Sequence, residues 1–323
     1  MAGKEFVICN LCNSNNFKVL YTRKHYALNY QIVKCKTCGL IYMNPRFSEE
    51  KNRDLYNDTY YYFGKEDDEI NINKAVEQFK RLQFYSAKGR LLEIGCAKGF
   101  FLKIARDNGW ETYGVDLSDY GCKFAKEQFN LNVLQGVLEE IDLPEKYFDV
   151  VSLWDTLEHL RDPCKVLEKI KRLLKDDGIL MIETPNINSV FFKLYRRYWL
   201  GFNPFHLYYF SPQTLKNMLC KLGFTIVNSE TITVSLFSIE GIWDRGFKTA
   251  IAEILSILWL KDRIKKAVAS VRTTRPSEVD FKKWGIENLT LHRSRFINLI
   301  NYPADYLLTK LKMGDHLLTI AKN

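Results

Sequence analysis

Long apolar runs are missing from this chain of 323 residues, and no segment reaches the roughly 18 consecutive apolar residues that a bilayer-spanning helix needs. The start, Met1-Ala-Gly-Lys-Glu-Phe6, lacks the uninterrupted apolar stretch that directs secretion, which points to a cytoplasmic protein. In a reducing compartment the eight cysteines are not read as disulfides. Histidine is scarce: His25, His159, His206, His292 and His316 are the only groups with an ordinary pKa near neutrality. Acidic residues are in the minority, 38 Asp and Glu against 47 Lys and Arg. The resulting net charge of +9 favours anionic partners (phosphorylated substrates, acidic lipid surfaces or nucleic acid) without choosing among them. What is present, 46% hydrophobic and 26% charged residues, is the make-up of a folded chain longer than one average domain.

Cys96, Cys122, Cys164 and Cys220 are scattered singly and read as small buried side chains. The other four are grouped as Cys9-Asn-Leu-Cys12 and Cys35-Lys-Thr-Cys38, with 22 residues between them. Each Cys-x-x-Cys sets two thiolates on one tight turn, and two such turns complete the tetrahedral shell of a structural Zn2+. The segment ending in Tyr30-Gln-Ile-Val-Lys34 alternates like a strand, and Gly39 supplies the positive φ needed to wrap the metal, so residues 1–45 resemble a zinc ribbon. Loss of a ligand such as Cys35 is expected to unfold this segment alone. Residues 46–85 read as an aromatic-rich helical linker or cap. Tyr56, Tyr60, Tyr61, Tyr62 and Phe63 cluster before the acidic Glu66-Asp-Asp-Glu69, and Ala75, Val76, Phe79 and Leu82 share one face of a helix over 73–85.

From residue 90 strands and helices alternate. A buried strand, Arg90-Leu-Leu-Glu-Ile-Gly95, runs into the loop Gly95-Cys-Ala-Lys-Gly99, then a helix, then a strand ending in Asp116. This is a nucleotide-binding βαβ unit. A dinucleotide loop would need glycines where Ala97 and Phe100 stand, and a phosphate loop would need Ser or Thr where Gly99 follows Lys98. What remains is Glu93-x-Gly95-x-Ala97-x-Gly99, with Asp116 twenty-one residues beyond Gly95 and positioned to accept hydrogen bonds from ribose hydroxyls.

That pattern resembles the first motif of class I S-adenosylmethionine-dependent methyltransferases, with Ala97 in place of a middle glycine. The rest of the chain follows the same order. Ser118 opens a helix, Leu131 to Leu134 and Tyr147 to Trp154 read as strands, and Asp162-Pro163 caps a helix to Lys175. Further along come a strand Ile179 to Glu183, a helix from Ser211-Pro212 to Gly223, a strand from Thr225, and an antiparallel last strand Asp315 to Lys322. The expected fold is α/β: a Rossmann-like, mostly parallel methyltransferase sheet over 86–235, completed by 301–323, with the zinc ribbon in front and a helical insertion at 236–300. The stretches Phe148-Asp-Val-Val-Ser-Leu-Trp-Asp-Thr-Leu-Glu-His159, Leu174-Lys-Asp-Asp-Gly178 and His206-Leu-Tyr-Tyr-Phe-Ser211 resemble the branch containing ubiquinone-type O-methyltransferases and sugar or surface-polysaccharide methyltransferases. The knuckles followed by Cys38-Gly-Leu-Ile-Tyr-Met-Asn-Pro45 resemble the zinc-bearing front of the sugar members.

The resemblance implies S-adenosylmethionine as cofactor, held by Glu93, Gly95, Cys96, Ala97, Gly99, Asp116, Leu117 and Trp154. Many relatives carry an acid just after Gly136 for the adenine amino group. This chain has Val137, so adenine is expected to rest on apolar contact and backbone. The implied acceptor is a small molecule, sugar-containing and anionic, methylated at a hydroxyl. C-methylation of a keto-sugar, a quinone-like phenol, a nucleic-acid methyltransferase and a non-catalytic module are the other readings. Nucleic acid is not the expected partner, because Trp154-Asp-Thr-Leu stands where base methyltransferases carry an Asn-Pro-Pro-aromatic clamp. A hydroxyl must lose its proton as the bond forms, and His suits that task. His159, beside Glu158 past the fourth strand, lies on the edge where ligands bind in open parallel sheets, and His206 in Asn203-Pro-Phe-His is the second candidate. His25, His292 and His316 have no motif and read as surface or packing residues. Residues 236–300 hold 12 Lys and Arg against 7 Asp and Glu, and 250–272 combines Ile254-Leu-Ser-Ile-Leu-Trp-Leu260 with a basic tail. Two readings stand for it: a helical lid or dimer contact, and a peripheral contact with the inner membrane surface.

Overall fold

The computed structural model describes residues 3–25, 28–50, 68–199, 201–233, 278–280, 290–292 and 314–323. The aromatic cluster at 56–63 and the basic stretch 250–272 lie outside the described residues.

Two knuckles and three strands, β1 (Phe17–His25), β2 (Leu28–Cys35) and β3 (Ile41–Met43), form the amino-terminal ribbon. Gly39 takes the expected positive φ of 81°. Helix α1 (Asp68–Tyr85) follows, beginning five residues before the apolar face predicts. Asp68 and Glu69 in its first turn suit the positive end of the helix dipole. Asp68 is also anchored by Lys98, 2.6 Å away.

The core then alternates as the sequence predicts: β4 (Arg90–Ile94), α2 (Phe100–Asp107), β5 (Glu111–Asp116), α3 (Asp119–Phe129), β6 (Asn132–Gln135), β7 (Phe148–Trp154), α4 (Pro163–Leu173) and β8 (Leu174–Pro185). A two-residue strand β9 (Tyr208–Tyr209), α5 (Pro212–Lys221), β10 (Thr225–Ile232) and β11 (His316–Lys322) complete it. The caps are those the sequence offers. Ser118 accepts from Gly121 N, Asp162 from Lys165 N, and Ser211 forms a capping box with Thr214. α4 stops at Leu173 rather than Lys175, because fully buried Leu174 already pairs with Phe148 in the sheet.

The seven-stranded sheet runs in the order β10-β11-β8-β7-β4-β5-β6. The pairs β8–β7, β7–β4, β4–β5 and β5–β6 are parallel, and β11 pairs antiparallel with β8. Leu91, Leu92, Val150, Val151, Leu180 and Met181 are fully buried, the near-continuous apolar strand composition of a parallel sheet covered on both faces.

The ribbon is built into this core. β9 adds as a fourth antiparallel strand beside β3, pairing Tyr208 with Tyr42 and Tyr209 with Ile41, and the Tyr42 and Tyr208 rings stack at 6.5 Å. Asn10 reaches the cap of α4, donating to Asp162 Oδ1 at 2.7 Å and accepting from Cys164 N at 3.0 Å. Arg46 donates to Arg161 O at 2.5 Å, and Lys221 to Leu11 O at 2.8 Å. Residues 1–187, 203–230 and 316–323 accordingly form one compact unit.

A second unit spans 188–202 and 231–315. In it Ser189 caps a short helix, Val190–Tyr195, and Phe192, Trp199 and Phe202 meet edge to face at 5.2 to 5.9 Å. Residues Glu278–Asp280 and Thr290–His292 pair as antiparallel strands, where the sequence reading expects helix. Three-residue stretches are too short to carry a helical repeat.

Candidate functional site

At the carboxyl edge of the parallel strands two groups of side chains converge. The first is built on the β4–α2 loop. Gly95 has φ +78°, and a Cβ there would stand 2.3 Å from Thr156 Oγ1. Gly99 has φ +75°, with Leu131 only 2.6 Å from the position of a Cβ. Both glycines are therefore required by backbone and by space. Ala97, exposed at the tip, takes φ +46°, a left-handed conformation that a side chain tolerates poorly. Asp116 holds the loop in this shape: Oδ2 accepts from Ala97 N at 2.8 Å and Oδ1 from Ser118 N at 2.7 Å. A carboxylate has about four acceptor sites, so both oxygens keep capacity for ligand hydroxyls.

Glu93 points from β4 beneath the loop. It is 5% exposed, and among the described residues its Oε2 has no hydrogen-bond partner. Burial, reinforced by the charge of Asp116, raises its carboxyl well above the ordinary range. Trp154, at the end of β7, packs edge to face on Phe101 at 5.4 Å, and its buried indole N–H is likewise unsatisfied among the described residues. Cys96 is buried, while Leu117 and Val137 are 45% and 38% exposed.

The second group follows β7. A 3-10 turn, Leu157–His159, carries Glu158 and His159, and the loop 203–207 carries His206. The loop is shaped by Asn203, whose Oδ1 accepts from Phe205 N at 2.9 Å and His206 N at 3.0 Å, an Asx turn. Leu207 N donates to Glu158 O at 2.8 Å and docks the loop on the turn. The two imidazoles then meet edge to face, 4.7 Å between centroids. His159 Nδ1 lies 3.1 Å from Phe205 O; a carbonyl only accepts, so Nδ1 carries the proton and Nε2 the lone pair. Nε2 stands 4.0 Å from Glu158 Oε1, while Thr184 donates to Glu158 Oε2 at 2.8 Å. Burial lowers the His159 pKa to about 4 and, with help from Asp155, raises that of Glu158 to about 8.

Beside this cluster lies a buried ion network that sequence reasoning missed. Asp155, at the unusual φ of +47°, is bridged by Lys74 from α1 and faced by His316 Nε2 at 3.3 Å. Lys74 is also 3.9 Å from Glu183, which is fully buried and bonded to Arg81 at 2.7 Å. Burial alone would raise Asp155, but the Lys74 ammonium and His316 hold its carboxyl well below the usual range. His316 is thus no surface residue: it is 4% exposed and sits at the ligand edge. The signal was available, since a strand antiparallel to a parallel sheet begins at the edge where the others end.

In the ribbon, one sulfur of each of Cys9, Cys12, Cys35 and Cys38 lies within 4.8 Å of the other three. The pairs Cys9–Cys38 and Cys12–Cys35 are 3.4 and 3.5 Å apart. Zn–S bonds of about 2.3 Å in a tetrahedron place sulfurs about 3.8 Å apart, so the four thiols fit a zinc ion with small adjustments.

Residues 69–229 match the model of a methyltransferase domain family. A probable S-adenosylmethionine-dependent methyltransferase of Mycobacterium tuberculosis is 28% identical over 138 residues, 42% of this chain and 49% of that protein. A ubiquinone biosynthesis O-methyltransferase of Haemophilus ducreyi is 29% identical over 107 residues, 30% of this chain and 45% of that protein. The chain thus spans about half the length of these curated relatives. The crystal structure of a SAM-dependent methyltransferase from Archaeoglobus fulgidus superposes with a TM-score of 0.51 at 22% identity, covering 82% of this chain and all of that one. Residues 69–229 thus form a domain of the methyltransferase family, and the fold is that of an S-adenosylmethionine-dependent methyltransferase.

Proposed function

We propose that this protein transfers a methyl group from S-adenosylmethionine to a hydroxyl of a small, anionic, sugar-containing acceptor, and that the ribbon holds a structural zinc. The observation that carries the cofactor half is the Gly95–Gly99 loop locked by Asp116. The residues present fit that group. Gly95 and Gly99 leave backbone open to the methionine part, Asp116 has acceptor capacity for the ribose hydroxyls, and exposed Leu117 and Val137 offer an apolar rest for adenine. Glu93 Oε2, buried without a donor among the described residues, suits a cationic ligand, and Cys96, Ala97 and Trp154 line the same loop and strand end. Bound there, S-adenosylmethionine supplies an electrophilic methyl on a sulfonium.

The chain's own residues orient the acceptor and move its proton. His159 Nε2 carries a lone pair, is neutral at pH 7, and is fixed in orientation by the Phe205 carbonyl, which suits it to receive the hydroxyl proton. His206 packs against it and contacts the acceptor, and Glu158 orients the pair. The zinc-bearing front it resembles supports the sugar. The ubiquinone O-methyltransferase relatives favour a second reading, a quinone-like phenol, whose more acidic hydroxyl depends less on a base.

Asp116→Ala should weaken S-adenosylmethionine binding by roughly 1–3 kcal/mol, read by calorimetry, since it removes charge-assisted hydrogen bonds and releases the loop amides. Unchanged affinity would overturn the cofactor assignment. Methylated species found by mass spectrometry in nucleotide-sugar and lipid-linked-sugar pools of cells with the gene, and absent without it, identify the acceptor.

Glu93 adds a pH dependence. Its free carboxyl is raised, so a cation bound beside it favours the ionised form and expels a proton. Cofactor affinity should therefore rise with pH through the pKa of free Glu93, and level off above it. Titrations in buffers of different ionisation heat should show proton release, and Glu93→Gln should abolish it.

A further inference from the structure

We infer that Glu158, His159 and His206 form a binding site for a divalent first-row transition-metal ion, distinct from the thiolates of the ribbon. One ligand atom from each residue lies within 4.8 Å of the other two, on two segments tied together by the Leu207–Glu158 backbone bond. Bonds of about 2.0–2.2 Å to nitrogen and oxygen would draw these atoms to about 3.0–3.6 Å of each other, depending on octahedral or tetrahedral geometry, a matter of small side-chain rotations.

Two of the three ligands, His159 and Glu158, are already oriented through their other polar atom, the arrangement found around bound metals. His159 gives its Nδ1 proton to the Phe205 carbonyl and turns Nε2 toward Glu158 Oε1. Glu158 Oε2 accepts from the Thr184 hydroxyl. Its Oε1 is left buried, in a residue 1% exposed, with no hydrogen-bond partner among the described residues. A carboxylate oxygen in that position requires a proton or a cation. The fixed cations nearby, Lys74 and Arg81, are engaged by Asp155 and Glu183. Two imidazoles and one carboxylate select Fe(II), Co(II), Mn(II) or Zn(II) over the all-oxygen preference of Mg(II) and Ca(II).

Three protein ligands leave coordination positions open to an acceptor hydroxyl and to water. The role of the ion rests on the reading that the acceptor reaches this cluster. A metal-bound hydroxide, formed when bound water loses a proton to solvent, then takes the acceptor's proton and becomes bound water. The acceptor oxygen forms the bond to the methyl carbon while the carbon–sulfur bond breaks, its electron pair staying on sulfur. In that state the metal-bound hydroxide replaces His159 as the base.

The test uses the full chain with its ribbon metal in place, titrated with Mn(II) by electron paramagnetic resonance and with Co(II) by visible absorption. The thiolate charge-transfer band of Co(II) separates exchange in the ribbon from nitrogen and oxygen ligation. One ion should bind beyond the ribbon metal, and Glu158→Gln and His206→Ala should each weaken it at least tenfold while still binding S-adenosylmethionine. If Glu158→Gln does not fold, His206→Ala carries the comparison. No ion beyond the ribbon metal, or variants that bind as tightly as the wild type, overturns the inference. Failure of the wild type to bind S-adenosylmethionine instead overturns the methyl-transfer reading and leaves the metal result standing by itself.

Discussion

His159→Ala should lower the turnover of methyl transfer by about 10²–10⁴-fold, the usual cost of removing a group that manages a proton in the transition state. Cofactor affinity should stay nearly unchanged, because the Gly95–Gly99 loop is held by Asp116 and its own backbone bonds. The removed ring is anchored at one nitrogen by Phe205, so alanine deletes the atom proposed as the base without exposing a charge. Single-turnover transfer of a labelled methyl group, with cofactor binding measured on the same samples, separates the two effects. His206→Ala is the internal comparison. If it collapses the rate while His159→Ala does not, the two roles are exchanged. If neither variant loses activity, the acceptor needs no base and the phenol reading gains.

Chelating the zinc proposed for the ribbon, or replacing Cys35 with Ser, should abolish activity and lower the melting temperature of the whole compact unit. The spacing of the knuckles alone predicts a narrower outcome, selective unfolding of residues 1–45. The difference lies in β9. Its two tyrosines are the fourth strand of the ribbon, and they lie two and three residues after His206 in the loop that supports His159. Structural zinc commonly contributes about 10–16 kcal/mol of apparent binding free energy to folding. Losing it removes the partner of β9 and frees the Asn10 contacts that cap α4. Calorimetric melting of native and chelated protein would show one cooperative transition moving down. Retained turnover in a metal-free sample would refute the coupling.

How much of this was legible follows from the range of each interaction. Ser118, Asp162-Pro163 and Ser211-Pro212 act within one helical turn, so their caps are readable from residue type. The buried runs of β4, β7 and β8 are equally local, and the glycine loop betrays itself by spacing. β9 was not legible as ribbon, because two residues carry no alternation and their partner lies far back at Ile41–Met43. Lys74 and Arg81 look like solvent-facing residues of an amphipathic helix. Only the placement of α1 beside the strand ends turns them into partners of Asp155 and Glu183. Asp155 stood inside a recognised stretch but drew no role, since neither its left-handed backbone nor its charge partners are written in its neighbours. Pairing of His159 with His206 depended on Asn203, whose Asx turn sequence hints at but does not aim.

The antiparallel strand β11 bears on how the molecule assembles. It inserts between β8 and β10, pairing Pro185 with His316 and Ile179 with Lys322, residues far apart along the chain. Consecutive strands β4, β5 and β6 close short loops and are favoured to pair early, whereas β11 must close the longest loop in the sheet. During refolding the nucleotide-binding loop can therefore exist while the facing edges of β8 and β10 stand open. A form lacking β11 would leave one edge of β8 unpaired and β10 without a sheet partner, and would be prone to edge-to-edge aggregation. It also lacks His316, so Asp155 gains its second facing partner, beside Lys74, only when the last strand has locked into place.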